Sequence, residues 1–342
     1  MKSKLMAKGD LSRFLEDLMK DHVVYGPKRK RGEHQFGRIT DTKDLDLSYT
    51  TTILPPKHLL IPTQEPLLSF TQDGRPKPVE HEYAKQLIFG MHSCDVSGIM
   101  LLDHVFQGEY PLPRYVEQRK NTTVVALTCT NVGDTCFCDS MGTGPCPTGG
   151  FDVLLTDLGE KYLIETGTRE GEQLAARISG PDADKTSLEM KDSIIVETRK
   201  KFKKRIDMEG LPELFQSKLN HPIWKRLEQI DLACANCVMS CPTCFCFDIY
   251  DQWADIGKTV RCIEWDACFL LEFGQVALGG NFRKNRADRI RQFMGHNLSW
   301  GGASQFNNSP IKHKCVGCGR CIKACPVHID ITEIAKEIRK EQ

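Results

Sequence analysis

The run from Cys315 to Pro326 spells C-x2-C-x2-C-x3-C-P, and few cysteine patterns constrain a chain so tightly. Thiolates at i, i+3 and i+6 can line a tight loop and reach three corners of one iron–sulfur cubane. The fourth cysteine leads into a helix and reaches a second cluster, and the proline turns the chain. The motif therefore predicts a partner, and one stands upstream: Cys234-x2-Cys237-x3-Cys241-Pro242 has the same tail. By the crossing pattern, Cys315, Cys318 and Cys321 hold one [4Fe-4S] cluster together with Cys241. Cys234 and Cys237 hold another with Cys325. The pair describes a two-cluster electron wire.

Sixteen cysteines in 342 residues could mean disulfides or metal. Their grouping as C-x2-C and C-x-C favours metal over a disulfide framework. Thiols kept ready as ligands need a reducing compartment, so a cytoplasmic location is expected. The first ten residues carry lysines but no following apolar run, so no signal peptide is expected there. No stretch approaches ~18 consecutive apolar residues, so no membrane span is expected. A net charge of +1 gives no reason to expect a nucleic-acid partner. Zinc is the rival metal, but zinc ribbons use two C-x2-C knuckles rather than a C-x2-C-x2-C-x3-C-P run.

The chain divides by composition into an expected α+β organisation. Residues 1–222 read as a mixed α/β domain. Residues 223–342 read as a mainly helical, ferredoxin-like dicluster domain, with a long insert between the two motifs. Leu11, Phe14, Leu15 and Leu18 recur at helical spacing behind Asp10 as N-cap. Gly26-Pro27 ends that pattern, and Lys28 to Arg31 reads as a solvated loop. Residues 86–89 and 123–127 read as buried strands, each with a cysteine just past its end, Cys94 and Cys129. Sheets of this kind place their ligands there. Residues 151–155 and 162–165 flank a turn at Asp157-Leu158-Gly159. Polar helices are expected near 172–178 and 188–206. Trp224, Leu227 and Ile230 share one helical face. The chain closes with a helix capped by Asp330, with Glu333 at N3.

The second cluster lacks one cysteine, because Asp231 stands where the motif asks for it. A carboxylate oxygen can ligate iron, though it is a harder donor than thiolate. Asp231 is therefore the expected fourth ligand, with Cys244, Cys246 and Cys268 as alternatives. In the N-terminal half, Cys94, Cys129, Cys136 and Cys138 could hold a third cluster, or could be ordinary buried thiols. The cofactors expected are thus two to three [4Fe-4S] clusters. The glycine-rich stretch 142–150 fits no nucleotide-binding fingerprint. A loop that brings backbone N–H groups close to cluster sulfurs is the better reading. The basic stretch from Arg283 to Arg291 is a solvated face or a counter-charge to thiolate-bound clusters. Among the histidines, His92 beside Cys94 is the one singled out.

Several runs together resemble a known family. They are Cys234-Ala-Asn-Cys237-Val-Met-Ser-Cys241-Pro-Thr-Cys244-Phe-Cys246-Phe, Trp265-Asp-Ala-Cys268, Asn281-Phe-Arg283 and the Cys315 motif. Phe89-Gly-Met-His-Ser-Cys94-Asp95 and Cys136-Phe-Cys138-Asp-Ser-Met-Gly142 extend the likeness over nearly the whole chain. The sequence resembles sulfhydrogenase beta subunits and the corresponding electron-transfer subunit of anaerobic sulfite reductase. The resemblance implies a non-catalytic electron-transfer subunit of a multi-subunit oxidoreductase. Its implied partners are a flavoprotein with an NAD(P)H site and a catalytic or further iron–sulfur subunit, of hydrogenase, sulfite-reductase or heterodisulfide-reductase-like type. It also implies a third cluster on Cys94, Cys129, Cys136 and Cys138. Members commonly carry cysteine where this chain has Asp231, whereas Cys146 and Cys262 lie outside the shared pattern.

No nucleophile with an adjacent base and no paired carboxylates stand in a motif. The rival reading is a redox enzyme with its own site, at an Asp231-ligated cluster or at Cys244, Cys246 and Cys268. A flavin-binding role for the α/β half lacks a dinucleotide fingerprint.

Overall fold

The computed structural model describes residues 3–71, 73–255, 258–300 and 311–340. Its strands are β1 (Ser3–Ala7), β2 (Val23–Lys30), β3 (Glu33–Arg38), β4 (Gln64–Phe70), β5 (Pro76–Pro78), β6 (Gln86–His92), β7 (Thr122–Leu127), β8 (Val153–Asp157), β9 (Lys161–Thr166), β10 (Phe247–Asp255) and β11 (Lys258–Trp265). Its helices are α1 (Leu11–Leu18), α2 (Ser93–Phe106), α3 (Pro113–Lys120), α4 (Arg169–Ala176), α5 (Lys185–Lys200), α6 (Leu211–Ser217), α7 (Pro222–Ile230), α8 (Asn236–Met239), α9 (Arg286–Leu298), α10 (Arg320–Lys323) and α11 (Ile331–Lys340). The fold is α+β.

A seven-stranded sheet runs in the order β1-β9-β8-β7-β6-β2-β3. Its centre is parallel and its edges are closed by antiparallel pairs. Every residue of β6 and β7 is buried, as expected for strands covered on both faces. Side chains alternate between the two covers. Leu87, Phe89, Val125 and Leu127 pack with Phe14, Leu15 and Leu18 of α1 and with Leu174 of α4. Ile88, Met91, Val124 and Ala126 pack with Ile99, Leu102 and Phe106 of α2 and with Tyr115 of α3.

Local expectations hold in kind more than in boundary. Helices α4 and α5 start earlier than the expected residues 172 and 188, because their caps lie upstream, and α5 ends at Lys200 rather than near 206. Gly171 N–H donates to Thr168 Oγ1 at 3.1 Å, and Ser187 N–H donates to Asp184 Oδ1 at 2.8 Å. Lys28 to Lys30 belong to β2 rather than to a loop. Pro27 lacks an N–H, but β2 pairs with β6 only through Val23, Val24 and Tyr25, so beyond Tyr25 its ladder partner is β3 alone. Asp10 does not cap α1 through its side chain. It accepts from Arg13 instead, at 2.9 Å. Asp330 does bond into its helix, accepting from Thr332 N–H at 2.8 Å.

The C-terminal part is helical around its cysteine motifs. Trp224 and Leu227 of α7, Phe215 of α6, Phe293 of α9 and Ile334 and Ile338 of α11 share one apolar core. Ile230 leaves that face and is 47% exposed. The insert is not helical throughout. It contributes β10 and β11 to a second sheet, ordered β10-β11-β4-β5. Strand β11 pairs antiparallel with β4, so the N-terminal and C-terminal portions share backbone hydrogen bonds.

Candidate iron–sulfur centres

The fold collects the predicted residues into neighbouring groups. Strand β6 ends at His92 and α2 begins at Ser93, which buries Cys94 in the first turn beneath the sheet's C-terminal edge. Cys129 follows β7 directly. Cys136 and Cys138 lie on the loop beyond. All four are close enough for their charges to interact through Cys138, which feels Cys129, Cys136 and, in turn, Cys94. Gly144 closes this loop, because a Cβ there would lie 2.5 Å from Cys138 Sγ. Gly144 therefore lets the loop pass close to a candidate ligand sulfur.

The Cys315 motif presses against this group. Phe137 N–H donates to the Gly317 carbonyl at 2.8 Å, and Thr143 Oγ1 donates to the Val316 carbonyl at 2.7 Å. Cys94, Cys136, Cys138, Val316 and Cys318 form one buried cluster. Gly317 and Gly319 both hold positive φ, 64° and 72°. A Cβ at Gly317 would lie 2.7 Å from the Cys138 backbone, and one at Gly319 would overlap the Thr135 carbonyl. Only glycine permits both the left-handed backbone and the close approach.

Cys315, Cys318, Cys321 and Cys241 form the second group. Cys321 feels Cys315, Cys318 and Cys241, and beyond them Cys237. Gly317 N–H donates to Cys315 Sγ at 3.4 Å. Cys237 feels Cys325, Cys234 and Asp231, which makes the third group. Asp231, Cys234, Cys237, Cys321 and Cys325 all line one cleft with Phe269 and Phe293. Ile329 N–H donates to Cys325 Sγ at 3.2 Å.

The residues fit iron–sulfur clusters on two physical grounds. Burial pushes the thiols of Cys94, Cys138, Cys315, Cys321 and Cys237 up, and that of Cys129 up to about 12. Thiols so buried stay protonated unless a cation draws them into ligation. Among the described residues no three such donors converge on a single metal ion, and a cubane holds its thiolates wider apart than one ion does. The second ground is Asp231. It is 6% exposed, and its Oδ2 has no hydrogen-bond partner. Burial raises its carboxyl, and an orphaned buried oxygen of this kind is costly unless something absent here coordinates it.

Other residues were not legible in the motifs. Arg320, inside the Cys315 run, makes a buried bidentate pair with Asp95 at 2.7 and 2.8 Å. Asp95 follows Cys94, so the pair ties two candidate centres together. Arg320 also donates to the Thr52 carbonyl at 2.8 Å. Its place between two motif cysteines and the acidic residue after Cys94 were the only signals. His92 is buried and stacked on Tyr49, with ring centroids 4.0 Å apart, and its Nδ1 meets the Thr50 carbonyl at 3.0 Å. Burial lowers it to about 4, so it is neutral and packs as a core ring. Cys262 lies in β11, where Gln252 donates to its sulfur at 3.3 Å, and Cys146 meets Thr128 Oγ1 at 3.6 Å.

The alternatives to Asp231 sit in a group of their own. The charges of Cys241 and Cys244 interact, as do those of Cys246 and Cys268. Two buried lysines face them. Lys314 Nζ donates to Cys244 Sγ at 3.7 Å, and Lys57 Nζ to the Cys244 carbonyl at 2.7 Å. Burial acts to lower both lysines, but for Lys314 the neighbouring sulfurs outweigh it and raise the ammonium above its usual range.

Two comparisons with known proteins found a match. Residues 231–329 match the 4Fe-4S dicluster domain family, from Asp231 to just beyond Cys325. The chain is 33% identical over 319 residues to sulfhydrogenase 2 subunit beta of Pyrococcus furiosus, a match spanning 93% of this chain and 92% of that protein. No solved structure matches the chain. No helix among the described residues is long and apolar enough to cross a membrane. With the dicluster domain in place and the likeness running almost end to end, the chain belongs to the sulfhydrogenase beta-subunit family of iron–sulfur proteins.

Proposed function

We propose that this chain is a cytoplasmic relay subunit passing single electrons between a flavoprotein that reacts with NAD(P)H and a catalytic or further iron–sulfur subunit. Clusters, when bound, supply one-electron chemistry. The residues assigned to them are Cys315, Cys318, Cys321 and Cys241 for the first, Cys234, Cys237, Cys325 and Asp231 for the second, and Cys94, Cys129, Cys136 and Cys138 for the third. The first two belong to a domain spanning residues 223–342 and the third to one spanning residues 1–222. The observation that carries the reading is continuity. The N-terminal thiols contact the Cys315 loop, and Cys321 in turn feels Cys237. A chain of adjacent ligand groups is what a relay requires, whereas one substrate site requires a single group. The relative's description as one subunit of a sulfhydrogenase supports partner subunits of some kind, and the flavoprotein and its NAD(P)H site are what the family resemblance implies.

The isolated chain is then expected to show no NAD(P)H oxidation with a viologen dye, and adding a flavoprotein recovered from the same native complex restores it. Robust turnover by the isolated chain contradicts the relay.

Asp231 gives a sharper expectation. Asp231→Cys keeps its centre and shifts its reduction potential, because thiolate replaces a harder oxygen donor. Asp231→Ala leaves one iron without a protein ligand, and its EPR spectrum is expected to change to that of a three-iron centre. A wild-type spectrum in Asp231→Ala assigns the fourth ligand to Cys244, Cys246 or Cys268 instead.

A further inference from the structure

The chain carries two basic runs, and only one is neutralised by the chain's own carboxylates. In residues 199–205, Arg199 and Arg205 both pair with Asp139, Lys200 with Glu197, Lys203 with Asp134 and Lys204 with Asp330. Residues 283–289 differ. Their one acid, Asp288, pairs with Arg291 beyond the run. Among the described residues none of Arg283, Lys284, Arg286 and Arg289 makes an ion pair. Arg286 Nη1 donates to the Asp231 carbonyl at 2.6 Å, and Arg289 Nη1 to the carbonyls of Arg283 and Lys284 at 3.1 and 2.8 Å. The last two bonds fix the backbone from which Lys284 faces solvent.

This run lies beside the second cluster's ligands. Helix α7 ends at Ile230 and α9 begins at Arg286, and the Arg286–Asp231 bond joins the two ends. Asp231 turns inward, while its neighbours Ile230 and Leu232 are exposed. Of the sixteen cysteines only Cys234, from the same group, is exposed. On the other side of the bond Phe282 is 78% exposed. It closes a loop held by Val276 N–H on the Gly280 carbonyl at 2.8 Å and by its own N–H on the Gly274 carbonyl at 3.2 Å. At the tip of that loop Leu278 stands fully in solvent, in left-handed backbone with φ 66°. Single exposed apolar residues are ordinary. Apolar side chains rimmed by unpaired cations, at the one exposed cysteine, have the composition of an interface.

Building on the relay reading, we propose that this face docks a partner subunit whose own redox centre is ringed by carboxylates, and that electrons cross beside Cys234. Lys284 and Arg286 attract the carboxylates at long range and orient the encounter. Leu232 and Phe282 exclude water once the surfaces meet. One electron crosses at a time, and no bond forms or breaks: one protein is oxidised as the other is reduced. A second copy of this chain is the poorer occupant, because a twofold contact sets the unpaired cations against themselves.

The test compares the native complex with the isolated, iron-loaded full chain, both purified anaerobically. Acetylation with peptide mapping is expected to label Lys284 about tenfold less in the complex. Zero-length carbodiimide coupling of the complex is expected to join Lys284 to an aspartate or glutamate of a subunit that holds flavin or iron–sulfur. Lys284→Glu is expected to slow association of that subunit about tenfold at low ionic strength and to leave iron content unchanged. The wild-type labelling and coupling decide alone if the variant fails to fold. Equal labelling of Lys284 in the two samples overturns the proposal, as does its coupling to a second copy of this chain or to a subunit without a redox cofactor. Protection of Lys284 only by vesicles of phosphatidylserine and phosphatidylcholine overturns it too, by making the face a membrane surface. The two readings fail separately. Equal labelling with no turnover by the isolated chain removes the docking face and leaves the relay. Coupling to a redox subunit, with robust turnover by the isolated chain, does the reverse.

Discussion

Replacing Arg320 by alanine is expected to destabilise the protein by about 3–5 kcal/mol, the cost of removing one partner from a buried ion pair. Few other single changes should do as much damage. The side chains of Arg320 and Asp95 are 2% and 0% exposed, so the orphaned carboxylate has no route to water. Both guanidinium Nη atoms reach Asp95, and two further bonds go to Thr52 Oγ1 and its carbonyl. Alanine strands all of these acceptors. Arg320→Lys keeps the charge but loses the planar fork, and should recover only part of the loss. Removing both charges together, as Arg320→Met with Asp95→Leu, should cost less than Arg320→Ala alone, because no buried charge is then left without a partner. Denaturant unfolding under anaerobic conditions measures the series. A single-alanine loss under about 1 kcal/mol, the scale of an exposed pair, shows that the pair is solvated.

The second large effect is expected at Gly319. Its φ of 72° is shared by Gly142, and the two differ in surroundings. A Cβ at Gly142 meets nothing within 4 Å, whereas one at Gly319 runs into the Thr135 backbone. Alanine at either position carries the left-handed backbone cost of about 1–2 kcal/mol. Only at Gly319 must the 133–138 loop also move off the Cys315 motif, taking Cys136 and Cys138 with it. Gly319→Ala is therefore expected to lower the unfolding midpoint well beyond Gly142→Ala and to reduce iron retention. Equal behaviour of the two variants means that the loops do not meet as described.

The cysteine groups were legible because a cluster imposes its spacing on a short stretch of chain, as Cys315, Cys318 and Cys321 show. The crossing of Cys241 and Cys325 between groups follows from the same rule. What joins the groups was not legible. Arg320 meets Asp95 across more than two hundred residues, and no local pattern marks either as buried. The same holds for Lys57 and Lys314, which the fold buries beside Cys244. The β10–β11 pair was missed although Phe247, Ile249 and Trp253 of β10 fall on alternate positions; that face is exposed rather than buried, with Trp253 81% exposed. Helices α4 and α5 were expected as polar helices a few residues further on, but Thr168 and Asp184 decide where they start.

The most direct test is iron and acid-labile sulfide on anaerobically purified protein. Three four-iron clusters require about twelve of each per chain, and two require about eight. About twelve is expected, since Cys94, Cys136 and Cys138 share one buried cluster with the Cys315 motif and the charge of Cys129 reaches Cys138. About eight leaves the N-terminal thiols idle and breaks the relay at the Cys315 loop. Stoichiometric zinc with little iron contradicts the assignment of these cysteines altogether.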